Sequence, residues 1–252
     1  MLDLNNPQTR QDVLRERLDL GVPLVAAALA KELGISVDTL RRDLIALEER
    51  GLLRRVRGGA IPTTSPAPPY AVRAASPDSN LGPLADKAAG LIPGEATVFL
   101  DAGTTMNAIA SRLPEGFDGL IVTPAPSVAL AALGRGARVH LMGGELCPEG
   151  AMATGGSTER SAGAFAADLC LLGACGLWPG FGLSAEDGAE AGVKRAMARA
   201  AARAVVVTSA SKLERRGRYR VLDLDEIDTL VTDALPEKLE VFRQAGVEVV
   251  HV

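Results

Sequence analysis

Apolar side chains change their period partway along this chain. Over the first sixty residues they recur three and four apart. Val13, Leu14 and Leu18 make one stripe within residues 7–20, an alanine-rich segment follows at 24–33, and Leu40, Leu44 and Leu47 line a third. That spacing predicts three short amphipathic helices. Ser36 is placed to cap the third, its hydroxyl accepting from a free first-turn amide. Gly21, Gly34 and Gly51 punctuate the helices, since glycine enters the left-handed conformation cheaply. Arg41 and Arg42 fall off the apolar stripe and are predicted to point outward. Residues 52–60 alternate less regularly, with Gly58-Gly59 turning a short hairpin that carries Arg54, Arg55 and Arg57. Helix, glycine turn, helix and hairpin predict a winged helix-turn-helix whose last helix enters the major groove.

A connector follows. Five prolines at 62, 66, 68, 69 and 77 exclude a continuous helix and predict an extended, semi-rigid spacer. The expected organisation is a DNA-binding domain over 1–61, a Pro-rich linker over 62–78 and a larger domain over 79–252.

Beyond it, short uninterrupted apolar runs alternate with helical patterns. Strands are predicted at 97–101, 119–123, 137–142, 169–174, 205–209, 229–232 and 247–252, with helices at 84–91, 105–113, 127–133, 157–166, 190–203 and 235–245. Continuous rather than alternating apolar strands mark a parallel sheet covered on both faces, so the larger domain is a Rossmann-like α/β fold. Such sheets bind ligands beyond the carboxyl ends of their strands.

Composition narrows the function classes. The chain is 47% hydrophobic, enough for packed cores, yet no uncharged run is long enough to span a bilayer. The N-terminal residues show no basic-then-apolar leader. Cys147, Cys170 and Cys175 are sparse and odd in number, which fits a reducing cytoplasm rather than a disulfide framework. With two histidines and no paired cysteines, neither a metal site nor a cofactor is expected. Net charge is −4, but its distribution matters more. Arg50, Arg54, Arg55 and Arg57 crowd residues 50–59, a window that holds no acidic residue, a basic head on an acidic body.

Four loops at predicted strand ends are candidate ligand contacts. In 99–107, Asp101 closes a strand, Gly103 permits close backbone approach, and Thr104 and Thr105 open a helix whose amides suit a phosphate; alternatively Thr104 is a simple cap. Gly143, Gly144 and Glu145 follow the third strand, with Thr123 ending its neighbour. Glu190 and Lys194 stand one helical turn apart, either at the site or as an exposed ion pair. Lys212 follows another strand, either meeting a ligand phosphate or solvated. Neither GxGxxG nor GxxxxGK[ST] occurs, against dinucleotide or nucleoside-triphosphate binding.

Taken together, LGISVDTLRRDLIALEERGLLRRVRGGA (33–60), FLDAGTT, the GGEL loop, GACGL, VKRAM, Ser211-Lys212 and EIDTLVTD resemble the DeoR family of bacterial transcriptional regulators, in order and over nearly the whole chain. The resemblance implies a sensor domain related in fold to ribose-5-phosphate isomerase and the amino-sugar phosphate deaminases. It also implies a cytoplasmic, nucleoid-associated oligomeric repressor of a sugar or carbon operon, answering to a phosphorylated metabolite. The chain departs from the family pattern at Pro124, Ser209, Leu81 and Arg57.

The expected division of labour follows. Ser36, Thr39, Arg41 and Arg42 face double-stranded operator DNA in the major groove, while Arg54, Arg55, Arg57 and Gly58 meet the backbone or minor groove. A dimer or tetramer would read paired half-sites. Asp101→Ala or Thr104→Val should remove the ligand response and spare DNA binding. Two other readings compete. One is an isomerase-like enzyme using Asp101, Glu145, Asp187, Glu190 and Lys194 as acid–base groups. The other is an architectural DNA-binding protein with a ligand-free body.

Overall fold

The computed structural model describes residues 6–19, 24–50, 52–62, 69–75 and 80–252. Two compact units divide between Pro66 and Ala67. The first comprises α1 (Pro7–Asp19), β1 (Leu24–Val25), α2 (Ala26–Leu33), α3 (Val37–Glu49), β2 (Leu53–Val56) and β3 (Gly59–Pro62). Leu14, Leu18, Leu29, Leu40, Leu44, Leu47 and Leu53 make its core. All but Leu53, which lies on β2, are apolar positions of the three helices, so the helical spacing is read out directly as packing.

Ser36 caps α3 as expected, accepting from Thr39 N at 3.0 Å. Gly34 takes φ +65 at the corner between α2 and α3. The residues of the predicted stops Gly21 and Gly51 lie outside those described. One boundary differs from expectation: α2 begins at Ala26, because Leu24 and Val25 instead pair antiparallel with Ala60 and Gly59. Leu24 is buried against the core, and pairing satisfies a wing edge that would otherwise stand open. This pairing explains the tandem glycines. Gly58 has φ +90 in the turn, and a Cβ on Gly59 would come within 1.8 Å of the Leu24 carbonyl oxygen.

The second unit opens with α4 (Tyr70–Ala75) and α5 (Leu81–Ala89). The helix α4 corrects the expectation of an extended connector through residue 78. The prolines cluster before residue 70, leaving YAVRAA free to coil, and the Pro69 carbonyl accepts from Val72 N and Arg73 N at its start. There follow β4 (Thr97–Leu100), α6 (Thr104–Ala110), β5 (Leu120–Thr123), α7 (Pro126–Leu133), β6 (Arg138–Leu141), β7 (Glu145–Cys147), β8 (Met152–Thr154), α8 (Gly156–Ala162) and β9 (Leu169–Gly173). The chain closes with β10 (Gly176–Trp178), β11 (Gly182–Ala185), α9 (Gly188–Arg199), β12 (Ala204–Val207), β13 (Tyr219–Leu222), β14 (Thr229–Thr232), α10 (Glu240–Gln244) and β15 (Glu248–His251).

Seven strands form a fully parallel sheet in the order β15-β14-β12-β9-β4-β5-β6. Each of the seven was predicted: the five inner strands show as apolar runs, and the exposed edge strands β6 and β15 keep valines between polar residues. The antiparallel β7–β8 ribbon and the β10-β11-β13 sheet were not predicted; three- and four-residue strands with mixed polarity carry too little pattern. Residues 182–185 belong to the latter. The predicted helix at 235–245 resolves into a 3-10 turn and α10.

The chain order holds a reversal. From β4 it winds outward through β5 to β6, then resumes at β9 on the other side of β4 and winds away through β12, β14 and β15. Crossovers of the usual right hand put the helices of the two halves of such a sheet on opposite faces, and the switch point between β4 and β9 is where sheets of this order take their ligands. Asp101 directly follows β4, and Gly173 ends β9.

Candidate DNA interface and effector crevice

In the first unit the outward face of α3 presents Arg41 and Arg42, both exposed, and among the described residues neither has an ion-pair partner. Thr39 sits one turn earlier, its hydroxyl 2.8 Å from that of Ser36. Behind this face, Asp43 is buried and takes a bidentate bond from Arg10 of α1, at 2.7 Å from Nε and 3.2 Å from Nη2. Sequence reasoning missed this pair, which spans 33 positions. The wing is tied to the same helix: Glu48 accepts from Arg55 N at 2.8 Å and Arg55 Nε at 2.6 Å. Arg55 therefore anchors the wing as well as facing solvent. Arg54 and Arg57 are exposed and stand without carboxylate partners among the described residues.

These placements separate two roles. Arg42→Ala should weaken operator binding more than non-specific binding, since a base contact carries sequence information. Arg57→Ala should weaken both alike and lower the salt-dependence slope by about one. Titrations at several salt concentrations on operator and scrambled duplexes check both, and equal losses for Arg42→Ala would refute base readout.

In the second unit, Asp101 is fully buried and gathers the two halves of the sheet. Its Oδ2 accepts from Lys194 Nζ at 2.6 Å and from Gly173 N at 2.9 Å. Lys194 Nζ also donates to the Gly173 carbonyl at 2.9 Å and lies 3.0 Å from Glu190 Oε1. The Glu190–Lys194 pair is thus no surface pair, with side chains only 12% and 4% exposed. Burial alone would push the Lys194 ammonium down; Asp101 and Glu190 more than offset it and hold it above the usual lysine range. Asp187 caps α9, accepting from Ala189 N and Glu190 N. The second carboxylate oxygen of Asp101 and the hydroxyl of Thr208, which follows β12, are buried without partners.

Around this network lie polar groups that remain open. Gly103, at φ +99, precedes α6, and among the described residues the Thr104 and Thr105 hydroxyls take no internal hydrogen bond. Thr104 is the first residue of the helix, not its cap. Lys212 is half-buried and has no carboxylate or carbonyl partner among the described residues. Burial, together with the charges of Arg73, Lys194 and Arg215, pushes its ammonium below the usual lysine range despite an opposing influence of Cys175. Arg73, on α4, was not foreseen at all.

Other predicted contacts are engaged elsewhere. The Thr123 hydroxyl accepts from Ala125 N at 3.2 Å and is fully buried. The Gly143 carbonyl accepts from Thr158 Oγ1 at 2.8 Å, and a Cβ on Gly144 would meet that hydroxyl at 2.2 Å. The double glycine therefore serves the close approach of α8. Glu145 lies exposed on the β7–β8 ribbon. No cluster of three or more potential metal-binding side chains, and no helix long and apolar enough to cross a membrane, occurs among the described residues.

A winged helix-turn-helix joined to an α/β unit with a switch-point crevice defines a two-part, DNA-binding transcriptional regulator. A DeoR-like helix-turn-helix domain model matches residues 10–65, and a DeoR C-terminal sensor domain model matches residues 83–234. The chain belongs to the DeoR family. It is 34% identical to the transcriptional regulator GlpR of Haloferax volcanii, over 88% of this chain and 89% of that one. It is 32% identical to the repressor GlcR of Bacillus subtilis, over 82% and 80%, and 31% identical to the glycerol-3-phosphate regulon repressor of Escherichia coli, over 82% and 83%.

Proposed function

We propose that this regulator represses an operon of sugar or carbon metabolism and is released from DNA by a phosphorylated metabolite bound in the β4–β9 crevice. The observation that carries this reading is the unpartnered, half-buried Lys212 among further cations at the switch point. A partly desolvated ammonium of that kind is costly until an anion arrives. The open Thr104 and Thr105 hydroxyls at the start of α6 suit phosphate oxygens. The name of the E. coli relative, which mentions a three-carbon phosphate ester, points the same way.

In this reading Asp101, Glu190 and Lys194 form the floor of the site, holding β4, β9 and α9 in one arrangement. Lys194 is bonded to both carboxylates, which favours a structural floor, and so a sensor, over an isomerase-like enzyme. Gly103 with Thr104 and Thr105 forms the wall, and Lys212 supplies the charge. The protein works in the cytoplasm as a dimer or tetramer, because one small head gives too little affinity and two half-sites give a palindromic operator. A coupling of about 1–3 kcal/mol per site between ligand and DNA suffices for induction.

The test is a titration of operator complex with glycerol 3-phosphate, ribose 5-phosphate and glucose 6-phosphate, with catalytic turnover followed in parallel. At least one should release DNA from the wild type, and Lys212→Ala should raise the concentration required by roughly tenfold or more, as for a charged hydrogen bond. Turnover of any of the three, or an unchanged response in Lys212→Ala, would refute the proposal.

A further inference from the structure

The connector reaches the crevice. Helix α4 is bonded to the sensor unit at the Glu149 carbonyl, which accepts from Tyr70 N at 3.1 Å and from Arg73 Nη2 at 2.9 Å. The other terminal nitrogen of Arg73 lies 3.6 Å from the point where a side chain on Gly103 would begin. The guanidinium therefore stands over the loop between β4 and α6. It is also close enough to Lys212 for the two charges to repel. With the crevice empty, Lys212 opposes the seating of Arg73, while the Glu149 carbonyl favours it. An anion placed among these cations reverses the first effect and leaves the second intact.

We infer that Arg73 is shared between effector and connector: a phosphorylated ligand at Lys212 engages its guanidinium, seats α4 more tightly, and so carries the state of the crevice into the segment leading to the DNA-binding unit. This rests on the effector class proposed above. The geometry of the guanidinium suits the task. Its fork of donors can hold a phosphate oxygen and the Glu149 carbonyl at once, which a point-charge ammonium cannot. It also gives α4 a regulatory role in place of a spacer's. A connector extended throughout would pass on no preference, because a ligand shifts an equilibrium only through differential contact with its two states.

The experiment uses the full-length protein and its operator. Calorimetry with inorganic phosphate, glycerol 3-phosphate, ribose 5-phosphate and glucose 6-phosphate selects the tightest binder. Hydrogen exchange of amides 70–75 and operator affinity are then measured with and without it, in wild type, Arg73→Gln and Arg73→Lys. In the wild type, ligand should slow exchange in 70–75 and change operator affinity about 5- to 150-fold, the usual span of such couplings. Arg73→Gln should still bind the ligand, within about tenfold of wild type for one lost charged contact, while neither exchange nor operator affinity responds. Arg73→Lys should respond in part. Ligand-indifferent exchange in the wild type, or a full response in Arg73→Gln, overturns the inference and leaves the effector class standing. Failure of the wild type to bind any of the four compounds overturns both.

Discussion

Asp101→Ala is expected to melt the sensor unit roughly 10 °C or more below the wild type, the shift that a loss of about 3–5 kcal/mol gives a unit of this size. The carboxylate is wholly buried and holds the Lys194 ammonium and the Gly173 amide together at the junction of the two halves of the sheet. Without it, the ammonium keeps Glu190, at 3.0 Å, and the Gly173 carbonyl, at 2.9 Å, and the part-buried Gly173 amide loses its acceptor. Leaving one partner of a buried pair behind costs more than the pair itself contributes. Asp101→Asn keeps an acceptor for the amide and should lie between the two. Scanning calorimetry of the full chain checks the order; a shift below about 2 °C for Asp101→Ala would mean that Lys194 escapes to water or loses its proton. Asp101 is consequently the wrong residue for removing the ligand response cleanly. Thr104→Val is the better choice, since that hydroxyl has no internal partner.

Asp43→Ala should abolish operator binding by unfolding the small unit, in contrast to its neighbour Arg42, whose loss should leave the fold intact. Asp43 and Arg10 side chains are 5% and 8% exposed, and the bidentate bond fixes α1 against the inner face of α3. Breaking it costs about 3 kcal/mol, within the range of the whole stability of a domain near sixty residues. The sensor unit has its own core and should melt unchanged. Two transitions are therefore expected for wild type and only the later one, or a first transition displaced below room temperature, for Asp43→Ala. Replacing both partners, Arg10→Met with Asp43→Leu, should restore much of the fold because no buried charge is then left over. If the single variant binds operator like the wild type, the pair does not hold the recognition helix.

Much of the architecture follows from local rules that one sequence displays. The 3.6-residue stripe through Leu40, Leu44 and Leu47, the Ser36 cap and the glycines at 34 and 58 require only neighbours within a few positions, so they are legible before folding. The five inner strands of the sheet are legible for the same reason, as apolar runs, whereas the exposed edge strands β6 and β15 show only through their valines. Positions with two competing explanations were different. Thr123, Gly143 and Gly144 have the residue types of a ligand loop, yet the fold engages them in a turn and in the approach of α8.

Distance along the chain explains most of what the sequence concealed. Lys194 meets Asp101 across 93 positions, and Arg73 reaches Glu149 across 76. The i,i+4 spacing of Glu190 and Lys194 announced a pair but not its burial, which depends on α9 lying against the carboxyl end of β9. A sequence by itself determined two units, a winged head and a parallel α/β body, and placed arginines on the outer face of α3 and along the wing. Tertiary structure alone decided which charges are buried, which are paired and which stand open. Those properties depend on strand order and on the switch between β4 and β9, where residues far apart in the chain become neighbours in a medium that water no longer screens.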